Sequence, residues 1–560
     1  MSLLRLTRAF AFVYLLAAAA QLRAADAIPA HYDDLTRLFA EWRAFERPVL
    51  HDGVPDYTPA AMAAKARELP AWRARLNAIG TTGWPAAQRN DWRLVQAEMN
   101  GFDFNLRVLQ PWARDPAFYV SVWAARSDCP LREGPLVATA IELYTYRFPL
   151  SADAERELTA RLNAIPALLS QARANLKDAN ARDLWVFGVQ ELRNQAETLA
   201  ALQANTLTVT TLEGAQHADI ASASPALHSA VGHALDSTRS FIAWLRQLAP
   251  SKTGPSGVGI ANYDWYEKNV HLVPYTWDEQ VTLLRRELDR AQAALRLEEL
   301  HNRNLPQLEP APDAKAFDAL TGAHLDKFVQ FLVQGQLIPD KPYLHAALEP
   351  QRGHFVPEDQ RIFFTRVTHR EPMLLYSHDY HWIDLARMRD EPNPSPIRRV
   401  AQLSNIWDTR AEGFATAFEE IVMHAGLYDD NPRAKELVWI MLANRAARGL
   451  AALYVQANQL SLEEAGHFHA GWTPRNWAIA GDQLTAFEQL LYLRQPGYGA
   501  SYILGKLEFD QLLTEYARQQ DLAHQPFVMR DFMDRFNNEG MIPIPLMEDE
   551  LITDKAARLP

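Results

Sequence analysis

A helical repeat returns along almost the whole of this chain, and it narrows the possible folds more than any other feature. In VTLLRRELDRAQAALRLEEL, Val281, Leu284, Leu288, Ala291 and Leu295 fall on one stripe and the charges take the other face. That is the period of an amphipathic helix with one buried side. Similar patterns cover residues 33–47, 83–108, 152–177, 182–204 and 431–457. The last has a start signal, with Asn431 as cap, Pro432 in the first turn and Asp429 and Asp430 ahead of it. β-Branched alternation is scarce, and RIFFTRV at 361–367 is the best strand candidate. The expectation is a mainly α-helical protein with at most a small β element near 361–367.

The Pro-, Gly- and Ser-rich stretch APSKTGPSGVG, residues 249–259, reads as a joint. It separates an N-terminal helical region, 28–250, from a C-terminal motif-bearing one, 251–560, the two expected to form one continuous body. Residues 1–27 have the layout of a secretory signal: Arg5 and Arg8, an apolar run from Ala9 to Ala20, then Ala25-Asp26-Ala27. About a dozen apolar residues are too few for a span, which needs roughly 20. The expected protein is exported, periplasmic or secreted, cleaved after Ala24 or Ala27, with no membrane span after cleavage. The one cysteine, Cys129, excludes an intrachain disulfide and lies far from the cleavage region, against lipid attachment there. With 56 basic against 68 acidic residues, a net charge of −12 and no basic run interleaved with aromatics, nucleic acid is excluded as a partner class.

Three segments carry the chemistry. In LLYSHDYHWIDLARM, Leu374 to Met388, His378 and His381 are three apart and share a helix face, separated by about 60°. Asp384 lies about 120° from His378 on an ideal helix, so those two hold one ion only if the helix is broken. Asp379 is placed like the general-base glutamate of a His-Glu-x-x-His site. The bland alternative is a hydrogen-bonded histidine pair in an aromatic-rich core. In RAEGFATAFEEIVMHAGLYDDNP, Phe414, Phe418, Ile421 and Ala425 make an apolar stripe. Glu412 and Glu419 sit opposite it, with small Ala415 and Thr416 between them that leave room for an approaching group.

The third segment, YLRQPGYGASYILGKLEFD, is not a phosphate loop: five residues separate Gly499 from Gly505, and Leu507 follows Lys506 where Ser or Thr is needed. Pro496-Gly497 opens a new helix instead, with Tyr498 and Tyr502 one turn apart. A tyrosine hydroxyl beside a metal site can stabilise an oxyanion. Arg445 and Arg448 share a face and are candidates to pair with Glu412 or Glu419, whereas His467 and His469 read as loop or packing residues. No Gly-x-Ser-x-Gly elbow occurs, and Cys129 has no base nearby in sequence.

In this order the segments EGFATAFEE, RAAR, QPGYGASYILGK and FVMRDFMDRFNNEGMIPIPLMEDEL resemble the bacterial family called domain of unknown function 885, a mostly helical family related to zinc metallopeptidases. The resemblance is most specific in the last 190 residues and extends weakly over most of the chain after the signal. The family pattern Glu-Gly-Trp-Ala-x-x-x-Glu maps onto Glu412, Gly413, Phe414, Ala415 and Glu419. Pro-Gly-Gln-Ala-x-x-Tyr-x-x-Gly maps onto Pro496, Gly497, Tyr498, Gly499, Tyr502 and Gly505. Where the family carries His-Glu-x-x-Pro-Gly-His, this chain has His378, Asp379 and either Asp384 or, with a gap, His381 in the second histidine's role. Ala452 and Gln456 stand where the family has an Asp and a His after Arg-Ala-x-Arg.

The resemblance implies a metallopeptidase-like helical body and a zinc-dependent hydrolase of peptide or related amide bonds. His378 and His381 (or Asp384) with Glu412 would hold Zn2+. Asp379 would activate water, Tyr502 would face the oxyanion, and Glu419 would support a ligating histidine. Asp for Glu shortens the reach of the carboxylate by roughly 1.5 Å, and a misplacement of about 1 Å costs on the order of 100-fold in rate. The rival is a non-catalytic envelope protein that keeps the scaffold and binds a peptide or partner. It would leave His378, His381 and Asp384 more than about 5 Å from Glu412, beyond any shared ion.

Overall fold

The computed structural model describes residues 31–558, so the expected signal segment 1–27 lies outside the described residues. Helices dominate, and among the described residues the named strands form only three two-stranded pairs: Leu50–His51 with Val54–Pro55, Val122–Trp123 with Ile141–Glu142, and Thr208–Thr211 with Gly214–His217. The amphipathic patterns appear as Tyr32–Glu46, Ala86–Phe104, Ala152–Asn175, Arg182–Gln203, Trp277–His301 and Arg433–Gln456.

Two local expectations are corrected. Residues 361–367 do not form a strand: Phe363–Thr368 is a short helix. Phe363 and Val367, four apart, are both buried on its inner side, and the Thr365 hydroxyl donates to the Ile362 carbonyl at 3.0 Å. A helical period places those two side chains together where a strand would separate their levels. Asn431 does not cap the helix that follows it. Its amide donates to Glu371 at 3.1 Å, and the helix begins at Arg433 directly after Pro432.

Arg433–Gln456 is the central helix and is buried at nearly every position. Trp277–His301, Leu462–Trp472 and Tyr498–Leu522 pack around it. The amphipathic reading of 431–457 therefore does not give an exposed polar face here: Glu436, Asn444, Arg445, Arg448 and Gln456 are buried with polar partners. The helices Ala152–Asn175, Arg182–Gln203 and Pro225–Leu248 form a bundle with its own core, including Leu158, Leu162, Leu192, Leu199 and Phe241. A larger core draws on both ends of the chain, from Leu35 and Trp42 to Ile544 and Met547. Arg398 ties those ends together, reaching Asp91 and Glu550 at 2.6 Å each.

Residues 249–259 do not swing free between the regions. The amides of Gly257, Val258 and Gly259 donate to Asn458 and Gln456 at 2.9, 3.2 and 2.8 Å. A Cβ on Gly257 would lie 2.6 Å from the Gln456 carbonyl oxygen, so only glycine permits this approach. Gln456 also donates to the carbonyls of Tyr492 and Leu493 at 2.9 and 3.0 Å. A position where the resemblance leads one to look for a histidine therefore fastens the backbone here.

Candidate functional site

The helix that begins in LLYSHDYH is interrupted. Met373–His378 ends and Tyr380–Asp390 begins at Asp379, whose backbone (φ −63°, ψ 8°) leaves the helical track. Across this break the two histidine rings meet edge to face with centroids 5.0 Å apart. Glu412 comes from the π-helical turn Thr409–Gly413, which runs into the helix Phe414–His424. An inserted turn of this kind re-aims a side chain within a continuous helix.

Packing then places Glu412 against Tyr498–Leu522. A Cβ on Gly413 would fall 2.8 Å from the amide nitrogen of Lys506, and one on Gly505 would fall 2.9 Å from the Cα of Gly413. The two glycines let the backbones touch, which accounts for a Gly after Glu412 and a Gly three residues after Tyr502. The Phe414 ring seals the outer side, packed on Tyr380, Phe509 and Phe536 at 4.8, 5.1 and 5.1 Å.

Oε2 of Glu412 faces His381 Nε2 at 3.2 Å and His378 Nε2 at 3.6 Å. One ligand atom from each of the three residues lies within 4.8 Å of the others. Oε1 accepts a hydrogen bond from the Tyr498 hydroxyl at 2.5 Å and lies 3.6 Å from the Cys129 sulfur. His378 turns its other nitrogen, Nδ1, toward Glu419 at 3.4 Å. Glu419 in turn accepts two hydrogen bonds from Arg445, at 2.7 and 2.6 Å. Glu412 and Glu419, the face opposite the phenylalanine stripe, are thus both buried.

The remaining expected residues divide. Asp379 is 9% exposed, and its Oδ2 is buried with no hydrogen-bond partner. Tyr502 stacks on His378 with ring centroids 6.2 Å apart, and the Arg448 guanidinium covers its ring at 4.2 Å. Arg448 pairs with Glu488, not with Glu412 or Glu419. Asp384 is not brought to the histidines, which corrects its place as an alternative second ligand. Its oxygens accept from Arg387 at 2.9 Å and from Arg410 at 3.2 Å. Asp384 lies on Tyr380–Asp390, beyond the break, and two buried guanidiniums hold it away from the His378, His381 and Glu412 cluster. His467 and His469 lie on the helix Leu462–Trp472. His469 is buried against Asn444 at 2.8 Å, and His467 is exposed.

Burial and neighbouring charge set the protonation states. Burial and the Arg445 charge push His378 down to about 3, so its ring is neutral. Burial would lower His381 as well, but Glu412 more than offsets it and raises the ring to about 9. Burial would raise Glu412, yet His381 and the hydrogen bonds from both histidines hold it well below the usual carboxylate range. Asp379 goes well above that range through burial and the nearby Asp128 charge. Burial raises Glu419 to about 7 despite Arg445. Burial and the Glu412 charge keep the Tyr502 phenol neutral.

A second group was not read from the sequence. The segment between Trp123 and Ile141 brings Asp128, Cys129 and Glu133 to the site, with one ligand atom of each within 4.8 Å of the others. Burial and the Asp128 charge raise Glu133 to about 7. The available signal was the sole cysteine flanked by acidic residues in a Pro- and Gly-containing loop, SDCPLREGP. Its long separation from the histidines hid the connection.

Residues 43–317, just under half of the chain, match the family described as "Bacterial protein of unknown function (DUF885)". The match supports the family resemblance drawn from the motifs, and it falls on a different part of the chain, since those motifs lie beyond residue 370. No curated protein matches the chain. Two solved structures share the fold. One, described as "a putative lipoprotein of unknown function from Shewanella oneidensis", has a TM-score of 0.63 and 14% identity, with 92% of this chain and 97% of that one covered. The other, "the putative lipoprotein from Colwellia psychrerythraea", has a TM-score of 0.60 and 11% identity, with 94% and 99% covered. Among the described residues, no helix is long and apolar enough to cross a membrane.

Proposed function

We propose that this protein is an exported metal-dependent hydrolase of peptide or related amide bonds. The observation that carries this reading is the convergence of two imidazoles and a carboxylate, drawn from two sequence segments and backed by Glu419. The donor set fits zinc, which takes nitrogen and carboxylate oxygen from three protein ligands and keeps a further position open. The neutral His378 turns Nδ1 toward the Glu419 carboxylate at 3.4 Å without yet forming the hydrogen bond by which ligating histidines are supported.

His378, His381 and Glu412 would hold the ion, which when bound would polarise a carbonyl and lower the pKa of water. Asp379 has one buried oxygen free of partners but is held protonated by burial, so it would take a proton from attacking water only after a bound cation had favoured its charged form. Tyr502 keeps its phenol proton and can donate it to a developing oxyanion. Arg445 fixes Glu419, whose carboxylate faces His378 Nδ1. Export rests on the signal-like N-terminal sequence, and the description of both structural neighbours as a "putative lipoprotein" is in keeping with an envelope protein.

Zinc content of the purified protein tests the reading. The wild-type protein should retain zinc through dialysis, and His378→Ala should lose it together with hydrolysis of peptide substrates. Absence of stoichiometric zinc, with no effect of His378→Ala, would remove the proposal.

A second reading has one specific observation in its favour. Glu412 already accepts from Tyr498 and lies against His381, so its charge is satisfied within the chain. A non-catalytic envelope protein that binds a peptide or partner on this scaffold needs no ion. Peptide binding that survives both chelation and His378→Ala would favour it.

A further inference from the structure

The same part of the molecule contains more carboxylates than cations. Arg445 answers Glu419, and His381 answers Glu412. Among the described residues, Asp128, Glu133 and Asp379 have no comparable ion pair, although the His381 charge acts on Asp128 and the Arg132 charge on Glu133. Arg132 directs its guanidinium to the Ala125 carbonyl and over the Trp123 ring at 4.2 Å. Ser127 donates to only one Glu133 oxygen, at 2.9 Å.

Close carboxylates left without cations either take up protons or are joined by a cation. A separate residue in the same region is also unsatisfied: Asp379 Oδ2 is buried with no hydrogen-bond partner. Cys129 lies between the two groups, its sulfur 3.6 Å from Glu412 Oε1 and 3.4 Å from the Tyr498 hydroxyl.

We propose that Asp128, Cys129 and Glu133 form a second divalent-cation site beside His378, His381 and Glu412, with Glu412 turning one oxygen toward each. The proposal rests on the metal-site reading of His378, His381 and Glu412 only for this bridging role. A sulfur donor selects a zinc-class ion over magnesium or calcium, which take oxygen ligands. On binding, the Cys129 S–H bond breaks, sulfur bonds to the ion and the proton passes to solvent. Two ions sharing a carboxylate would match the two-metal arrangement used to clamp attacking and leaving oxygens.

Full-length protein purified after export, loaded with Zn2+ or Co2+ and dialysed, tests this. Metal analysis should find two equivalents in the wild-type protein and about one in Cys129→Ser, Asp128→Asn and Glu133→Gln. The Co2+ form should show a near-ultraviolet thiolate charge-transfer band that persists in His378→Ala and disappears in Cys129→Ser. Circular dichroism and thermal unfolding of Cys129→Ser and Glu133→Gln show whether each variant is folded, and one folded variant suffices. A single equivalent that Cys129→Ser leaves intact and His378→Ala removes would overturn this second site and leave the first standing. A single equivalent removed by Cys129→Ser but kept by His378→Ala would support the second site and overturn the first. No bound metal in the wild-type protein would overturn both.

Discussion

Gly505 and Gly413 meet backbone to backbone: a Cβ on Gly505 would lie 2.9 Å from the Cα of Gly413, nearer than side-chain carbons approach. This crossing sets how close Glu412 comes to the tyrosines of Tyr498–Leu522. Gly505→Ala should separate the helices and destabilise the protein by about 2 kcal/mol, the scale of overpacking a filled interior. Denaturant unfolding measures the loss, and loss of bound zinc from the folded variant would show that Glu412 has moved.

Asp384 separates structure from chemistry. It is held between Arg387 and Arg410, and all three are buried. Asp384→Asn should cost about 3 kcal/mol or more, because it leaves two guanidiniums without their counter-charge. The folded variant should bind as much zinc as wild-type. A lowered metal content at unchanged fold would return Asp384 to the ligand set.

Glu419 reaches His378 through Nδ1 and is expected to act on the ion through that ring alone. Glu419→Gln keeps acceptor capacity toward Arg445 but removes the charge. Zinc affinity should fall roughly 10- to 100-fold, the usual effect of losing a ligand's supporting carboxylate. Competition with a chromophoric chelator reads this directly. An unchanged affinity would exclude Glu419 from a supporting role.

His369 supplies a pH dependence away from the site. Its Nε2 accepts from the Val356 amide at 2.9 Å, and its ring lies against Phe317 with centroids 4.3 Å apart. Burial, helped by the Arg361 charge, holds its pKa down at about 4 against an ordinary 6.5. A depressed histidine contributes stability that is complete above 6.5 and is lost as pH falls through 4. His369→Gln should be less stable near neutrality and should show a shallower fall in melting temperature across that interval. Equal slopes for the two proteins would mean that His369 is not held neutral.

Much of the fold was legible along the chain because helices report themselves locally. Apolar residues at a 3.6 period mark Trp277–His301 and Ala152–Asn175 without knowledge of their neighbours. The glycines of the EGFA and PGYG segments were also visible, and so was the order in which the polar residues occur. RIFFTRV misled because a short apolar run with β-branched residues suits either state, and the contacts of Phe363 and Val367 decided for helix.

The sequence by itself determined the helical architecture and the pool of histidines and carboxylates from which a site could be made. Only the tertiary structure decided which of them meet. The break at Asp379 lets His378 and His381 converge, the position on the helix sends Asp384 to two arginines, and the Gly413–Gly505 crossing brings Glu412 to Tyr498. Asp128, Cys129 and Glu133 enter from more than 200 residues away. Periodicity records which face of a helix is buried. It carries no information about what lies across that face, because that contact is made by packing between segments distant in sequence.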